Sequence, residues 1–253
     1  MNGLSVQDIE VQQGTFMLNV PRWEAPAGEF HALLGCNGAG KSTLLRVIAG
    51  ELRYRGQVRL HDRDIQHWKP LERARHIAVL PQASQLSFAF TAAEVVALGA
   101  TPLSLGRAAI NAEVRRLMTL TDCAGLAQQP YPGLSGGEKQ RVHLARVLLQ
   151  LSQATDTPVL LLDEPTSAQD LGQQHAVLRM VEGLCAEQGY VAVAVLHDLN
   201  QALRYTQRCS LVDAGTIVRQ GVPDVVITPD TVNRYWGYPA EAAVTAEGRQ
   251  QLL

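Results

Sequence analysis

Three observations predict an α/β fold for this chain of 253 residues. The apolar run Phe30-His31-Ala32-Leu33-Leu34 feeds a glycine-rich loop and then a helix-like segment, the strand–loop–helix order of a phosphate-binding turn. Two further β-rich runs, Val159 to Leu162 and Val191 to Leu196, have the composition of parallel strands buried on both faces. A helical stretch from about Leu171 to Gln188 joins them, which makes a βαβ step.

The remaining elements follow from local pattern. From Leu4 to Leu60, apolar and polar residues alternate in short runs separated by Gly14, Pro21, Pro26, Gly28 and Gly56, which predicts antiparallel strands around the loop. The helix after the loop is expected from about Ser42 to Gly50. A helical stretch from Leu71 to His76 leads into the strand Ile77 to Leu80. From about Ala83 to Gln153 the pattern is helical, with apolar residues at helix-like spacing over Ala92 to Leu98 and Ala109 to Leu117. Ser152 to Pro158 is expected to be a polar surface loop. Ser210 to Gly221 reads as a hairpin that turns at Ala214-Gly215. No repeat, low-complexity tract or long linker interrupts this order.

Bulk properties narrow the function. Hydrophobic residues make up 46% of the chain, ordinary for a soluble α/β protein. A net charge of −2 supplies no strong field for nucleic acid, so none is expected as a partner. No apolar run reaches the roughly eighteen residues of a membrane span, and Met1 to Asp8 lacks the basic and apolar regions of a secretory signal. Cys36, Cys123, Cys185 and Cys209 show neither metal-ligand spacing nor close pairing, and read as reduced thiols of a cytosolic protein. Cys36 lies inside the glycine loop, where it is either a structural thiol or a point at which alkylation blocks ligand entry.

The loop itself, Gly35-Cys36-Asn37-Gly38-Ala39-Gly40-Lys41-Ser42-Thr43, fits G-x-x-x-x-G-K-[ST]. Its glycines let backbone N–H groups turn inward on phosphates, and the following helix offers its positive end to the same anion. Lys41 supplies a cation for the β- and γ-phosphates, and Ser42 a hydroxyl for Mg²⁺. The strand Val159 to Leu162 ends in Asp163-Glu164, at the strand end where ligand groups of such sheets collect. Asp163 is placed to hold Mg²⁺, and Glu164 to polarise a water that attacks the γ-phosphate. His197, after the strand Val191 to Leu196, is placed to contact the γ-phosphate and align that water. Gln82, after the strand ending at Leu80, offers an amide oxygen to Mg²⁺ or the water. Taken singly, two carboxylates in a turn, a histidine at a strand end or a lone glutamine are ordinary structural residues. Their common position at strand ends, behind a phosphate loop, favours the chemical reading.

A second glycine motif, Leu134-Ser135-Gly136-Gly137-Glu138, opens a helix expected from Glu138 to about Leu149. Ser135 is a good N-cap, and the glycines admit an anion to the helix start. The phosphate loop is already complete, so this helix start needs another phosphate. A two-fold dimer in which each motif faces the partner's nucleotide supplies it.

These motifs resemble the nucleotide-binding subunit of ATP-binding cassette transporters over nearly the whole chain. In that family's terms Gly35 to Thr43 looks like Walker A, Gln82 the Q-loop and Leu134 to Glu138 the signature. Val159 to Glu164 looks like Walker B, Ser167 to Asp170 the D-loop, and His197 the switch histidine. The resemblance implies one cassette over residues 1–253. Residues 1–82 and 156–253 would be a RecA-like P-loop NTPase core with an antiparallel β subdomain, and 83–155 an inserted helical subdomain. It implies ATP and Mg²⁺, with nucleotide held by Gly35, Asn37, Gly38, Gly40, Lys41, Ser42, Thr43, Ser135, Gly136, Gly137 and Asp170, and metal by Ser42, Gln82 and Asp163. Glu164, His197 and Gln82 would be catalytic. It also implies a head-to-tail homodimer, peripheral on the cytoplasmic face of the inner membrane. Two copies of a multi-spanning permease would dock a short helix near Gln82 to Thr91, and a periplasmic binding protein would act indirectly.

This sequence departs from the family pattern at three places. Cys36 stands where proline is common, Gln169 where the D-loop usually has leucine, and Glu10 to Phe16 lacks a clear aromatic at the adenine-stacking position, with Phe16 the candidate. Within the family, the run from Val79 to Gly99, Thr121 to Tyr131, Leu144 to Leu148 and Val195 to Asn200 look like haem-import ATPases. The shortened N-terminal region and Thr228-Pro229-Asp230 with Tyr235-Trp236-Gly237 are similar to cobalamin ATPases, and ferric-siderophore importers belong to the same group. Haem uptake is the expectation, with cobalamin or siderophore uptake the alternatives. A soluble cassette ATPase of DNA repair or translation would usually carry coiled coils or tandem cassettes, and a small-molecule kinase would not need the signature.

Overall fold

The structure is a computed structural model that describes residues 3–82, 89–246, 248 and 250–253. Residues 83–88, on which the start of the expected helical stretch and most of the permease groove fall, lie outside the described residues, as do Met1 and Asn2 of the N-terminus. In chain order the elements are β1 (Gly3–Gln13), β2 (Phe16–Pro26), β3 (Phe30–Leu34), α1 (Lys41–Ile48), β4 (Arg55–Leu60) and β5 (Arg63–Asp64). Then come α2 (Pro70–His76), β6 (Ile77–Leu80), α3 (Ala92–Ala97), α4 (Arg107–Leu120), α5 (Gly136–Leu151), β7 (Val159–Asp163) and α6 (Leu171–Gln188). The chain closes with β8 (Val191–Val195), α7 (Leu199–Tyr205), β9 (Arg208–Asp213), β10 (Thr216–Gly221), α8 (Pro223–Val226), α9 (Pro229–Trp236), β11 (Ala242–Val244) and β12 (Gln250–Leu252). Two compact units result, one of Met1–His67 with Leu178–Leu253 and one of Trp68–Val177. No helix among the described residues is long and apolar enough to cross a membrane.

In the first unit the strands run in the order β5-β4-β1-β2-β10-β9-β3-β8. β1 buries Leu4 and Val6, then Ile9 and Val11, so its inward phase switches from even to odd positions. The switch coincides with a register shift against β4 between Gln7 and Glu10, and with Asp8 at φ 50°, a β-bulge that turns the following side chains to the core. β2 switches in step, so that Val6 faces Trp23 and Ile9 faces Val20. β1, β2, β4 and β5 pair antiparallel, as the alternation predicts. β3 does not: it pairs parallel with both β8 and β9, and all five of its residues are buried. Alternation marks a strand with one wet face, whereas a strand covered on both faces reads as a continuous apolar run. β9 and β10 form the expected hairpin, with Ala214 at φ 45° and Gly215 at φ 79°, the two positive values that a tight hairpin turn requires. Helices α7 and α9 are absent from the sequence reading, although each carries a start signal. Asp198 caps α7, and Thr228 caps α9 ahead of Pro229.

The second unit is built on α5, which buries Val142, Leu144, Ala145, Val147, Leu148, Leu149 and Leu151. It packs against α2, α3, α4 and β6. α5 begins at Gly136, two residues before the expected start, because Ser135 caps it. β6 and β7 pair parallel from Ile77 opposite Val159 to Leu80 opposite Leu162. Both strands therefore release their next residues at the same edge of the pair.

Candidate functional site

The first unit holds the glycine loop between β3 and α1. Lys41 is 6% exposed, and its Nζ donates to Gly35 O at 2.7 Å and Cys36 O at 2.9 Å. The ammonium is thus held under the loop rather than spread into solvent. Gly40 caps α1 at φ 109°, a left-handed conformation, and a Cβ there would lie 2.8 Å from Phe16 Cζ. The Phe16 ring therefore packs directly on the loop. Leu44 N donates to Gly40 O at 2.9 Å, so the amides of Lys41, Ser42 and Thr43 precede the helical ladder. Asn37, Gly38 and Ser42 are exposed, and Thr43 is half-buried. Cys36 is exposed, and its Sγ donates to Tyr235 O at 3.0 Å.

His197 belongs to the same unit. Leu33 pairs with Val195, and Leu196 N donates to Leu33 O at 3.2 Å, so the chain leaves β8 beside the point where β3 enters the loop. The next residue, Asp198, accepts from Asn200 N and Gln201 N, which fixes the turn that carries His197 into α7.

The second unit brings Gln82, Asp163 and Glu164 together at the edge where β6 and β7 end. Gln82 Nε2 donates to Glu164 Oε2 at 2.7 Å. Glu164 has φ 53°, an unusual value for a residue with a side chain, which costs about 1–3 kcal/mol and persists only when its surroundings fix it. Its carbonyl oxygen accepts from Ser167 N at 3.3 Å, Ser167 Oγ at 3.1 Å and Gln140 Nε2 at 3.0 Å. Gln140 is absent from the sequence reading. Its signal is a polar residue one turn before Leu144 on the buried stripe of α5, where an apolar one is expected.

Ser135, Gly136 and Gly137 start α5. Ser135 and Glu138 form a capping box: Ser135 Oγ accepts from Glu138 N, while Ser135 N donates to Glu138 Oε2 at 2.8 Å. Hydrogen bonds from the Ser135 hydroxyl and backbone hold the Glu138 carboxyl below the usual carboxylate range. A Cβ on Gly137 would lie 2.8 Å from Ala168 O, so this glycine is required inside the chain, beyond any role toward an anion. Asp170 caps α6, with Oδ1 accepting from Gln173 N at 3.0 Å. Behind the motif, Tyr131 is buried and its hydroxyl meets His143 Nε2 at 2.7 Å. Burial, with the charge of Arg146 beside it, pushes His143 down to about 4.

A caged ammonium, a glycine turn and a helix start are the parts of an anion site. A carboxylate on a constrained backbone, with an amide donating to it, has the parts of an oriented general base. The sequence pattern described as ABC transporter matches residues 18–167. The hemin import ATP-binding protein HmuV of Shewanella denitrificans is 50% identical over 228 residues, covering 90% of this chain and 90% of that protein. The HmuV of Photobacterium damselae subsp. damselae is 41% identical over 253 residues, 99% of this chain and 95% of that protein. Among solved structures, cbiO1 from Clostridium perfringens, part of the ABC transporter complex cbiONQ, superposes with a TM-score of 0.78 at 26% identity, covering 92% of this chain and 94% of that one.

Proposed function

The chain belongs to the ABC transporter family, and we propose that it is the subunit that binds and hydrolyses ATP to power haem import through a separate permease. The observation that carries this reading is the 50% identity to a hemin import ATP-binding protein over 90% of both chains. The geometry of both units supports it.

In this reading two copies associate head to tail, and each ATP lies between the glycine loop of one copy and the Ser135–Gly137 helix start of the other. Lys41 and the amides from Gly38 to Thr43 hold the phosphates, and Gly35 and Asn37 shape the loop around them. Glu164 takes the proton of the attacking water, His197 orients that water against the γ-phosphate, and Asp170 contributes from the dimer partner. A bound Mg²⁺ would supply positive charge to offset the charge of the phosphates. Ser42, Asp163 and Gln82 offer the hydroxyl, carboxylate and amide oxygens that such a hard cation takes. Residues 1–82 and 156–253 serve as the core with its β subdomain, and 83–155 as the helical subdomain that follows the permease. The dimer sits on the cytoplasmic face of the inner membrane under two permease copies, which receive haem from a periplasmic binding protein.

The test is purification of tagged Glu164→Gln from native membranes with ATP, identification of its partners by mass spectrometry, and uptake assays with the recovered complex rebuilt around the wild-type chain. A multi-spanning permease and ATP-dependent haem uptake are expected. Uptake of cobalamin or a ferric siderophore instead of haem would overturn the cargo, and recovery of soluble partners alone would overturn the importer.

A further inference from the structure

We propose that Gln169 is a positioning residue for ATP hydrolysis, acting through Gln140 to hold the backbone of Glu164. The inference rests on the reading of Glu164 as the base. It starts from a departure in the sequence, a glutamine where the D-loop usually carries leucine.

Gln169 Nε2 donates to Gln140 Oε1 at 3.2 Å and to Pro165 O at 3.4 Å. Gln140 Nε2 in turn donates to Glu164 O at 3.0 Å. The direction of this chain of amides is fixed by its far end. A carbonyl oxygen only accepts, so Gln140 must turn its NH₂ to Glu164 and its oxygen to Gln169. Gln169 must then present its own NH₂, and Pro165 O requires the same orientation. Leucine at 169 would leave Gln140 Oε1 without this donor.

The arrangement has a cost that points to a use. Gln169 Oε1 is buried and accepts from no described residue. An apolar side chain would avoid that penalty, so the glutamine is accounted for by its donor end. The backbone around it is also fixed. Gln174 Nε2 donates to Gln169 O at 3.0 Å, and Ala168 O lies where a Cβ on Gly137 would be. The far end of the chain is Glu164 at φ 53°, a conformation that depends on what holds it. Gln140 sits one turn inside α5 from Ser135–Gly137, so the same two amides tie the start of that helix to Glu164 within one chain.

The experiment compares full-length wild type, Gln169→Met, Gln140→Met and the double variant for kcat and KM with Mg²⁺-ATP, for affinity toward a fluorescent ATP analogue, and for Tm. Methionine keeps the length and removes the amide. Either single change is expected to lower kcat about five- to tenfold, the effect of one lost positioning bond, with nucleotide affinity within about twofold of wild type. The double variant is expected to be no slower than the slower single, because both changes break the same chain. Unchanged kcat in Gln169→Met, losses that multiply in the double variant, or kcat and affinity falling together would overturn the proposal. If Gln169→Met does not fold, Gln169→Leu is read against the same outcomes. Glu164→Gln runs alongside: hydrolysis at the wild-type rate there would overturn the base itself, a failure distinct from that of Gln169.

Discussion

Gln82 donates from Nε2 to Glu164 Oε2 at 2.7 Å, although the two residues are 82 positions apart. Register explains the contact: Leu80 and Leu162 are partners in the parallel pair β6–β7, and both chains turn out of the sheet at that edge. One acceptor position of that carboxylate oxygen is therefore occupied by the Gln82 amide.

The character of that contact is tested by replacing Gln82. Gln82→Glu sets a second carboxylate against Glu164, where like charges push the two apart. Its kcat at neutral pH is expected to fall by at least about tenfold, within the range for a disturbed general base. Gln82→Asn keeps the amide on a shorter arm and is expected to retain more activity. Steady-state ATPase rates of the two variants, measured side by side, decide the order.

Gly136 and Gly137 are adjacent but not equivalent. A Cβ on Gly136 would meet Ala168 Cβ at 3.4 Å, an ordinary contact, whereas one on Gly137 would meet the Ala168 backbone oxygen at 2.8 Å. Gly137→Ala must therefore displace the segment that carries Gln169. It is expected to lower kcat about tenfold or more, and Gly136→Ala several-fold less. Equal effects in an ATPase assay would mean that approach to the anion, and not the internal contact, dominates at Gly137.

Two buried histidines set an acid limit on stability. Burial, with a smaller contribution from the charge of Arg208, pushes His31 down to about 3, and His143 is held at about 4. In the unfolded chain both take up a proton near 6.5. Between those values the unfolded state binds protons that the folded state refuses. Stability is therefore complete above about pH 6.5 and declines as pH falls, by up to about 1.4 kcal/mol per pH unit for each histidine. The decline ends near pH 4 for His143 and near pH 3 for His31. Urea midpoints from pH 7.5 to 4.5 should drop accordingly, and His31→Gln should flatten the curve.

The four cysteines should separate cleanly by reactivity. Burial pushes the Cys185 and Cys209 thiols up to about 12 and raises Cys123, whereas Cys36 is exposed. The thiolate is the reactive species, so a maleimide at neutral pH is expected to label the native protein once, at Cys36. ATP should slow the labelling, because Cys36 lies within the glycine loop. Mass spectrometry of the peptides identifies the site, and equal labelling with and without nucleotide would show that the thiol stays clear of the ligand.

The sequence by itself determined the parts. Glycines with a lysine, a serine before Gly136-Gly137, and carboxylates after an apolar run are signals that act over a few residues, through backbone freedom, capping and periodicity. Those signals placed α1, α5, β7 and β8 and named the residues of both units. They also reached the β9–β10 turn through Gly215, since glycine accepts positive φ without a Cβ penalty. Only the tertiary structure decided how the parts are held. That β3 runs parallel, that the inward phase of β1 switches at Asp8, and that Gly137 is demanded by Ala168 all depend on strands and loops brought together by packing. Gln140 reaches Glu164 across 24 residues, and Gln82 reaches it across 82. No local propensity encodes such contacts, because they form between chain segments whose separation is set by strand register and by the burial of α5.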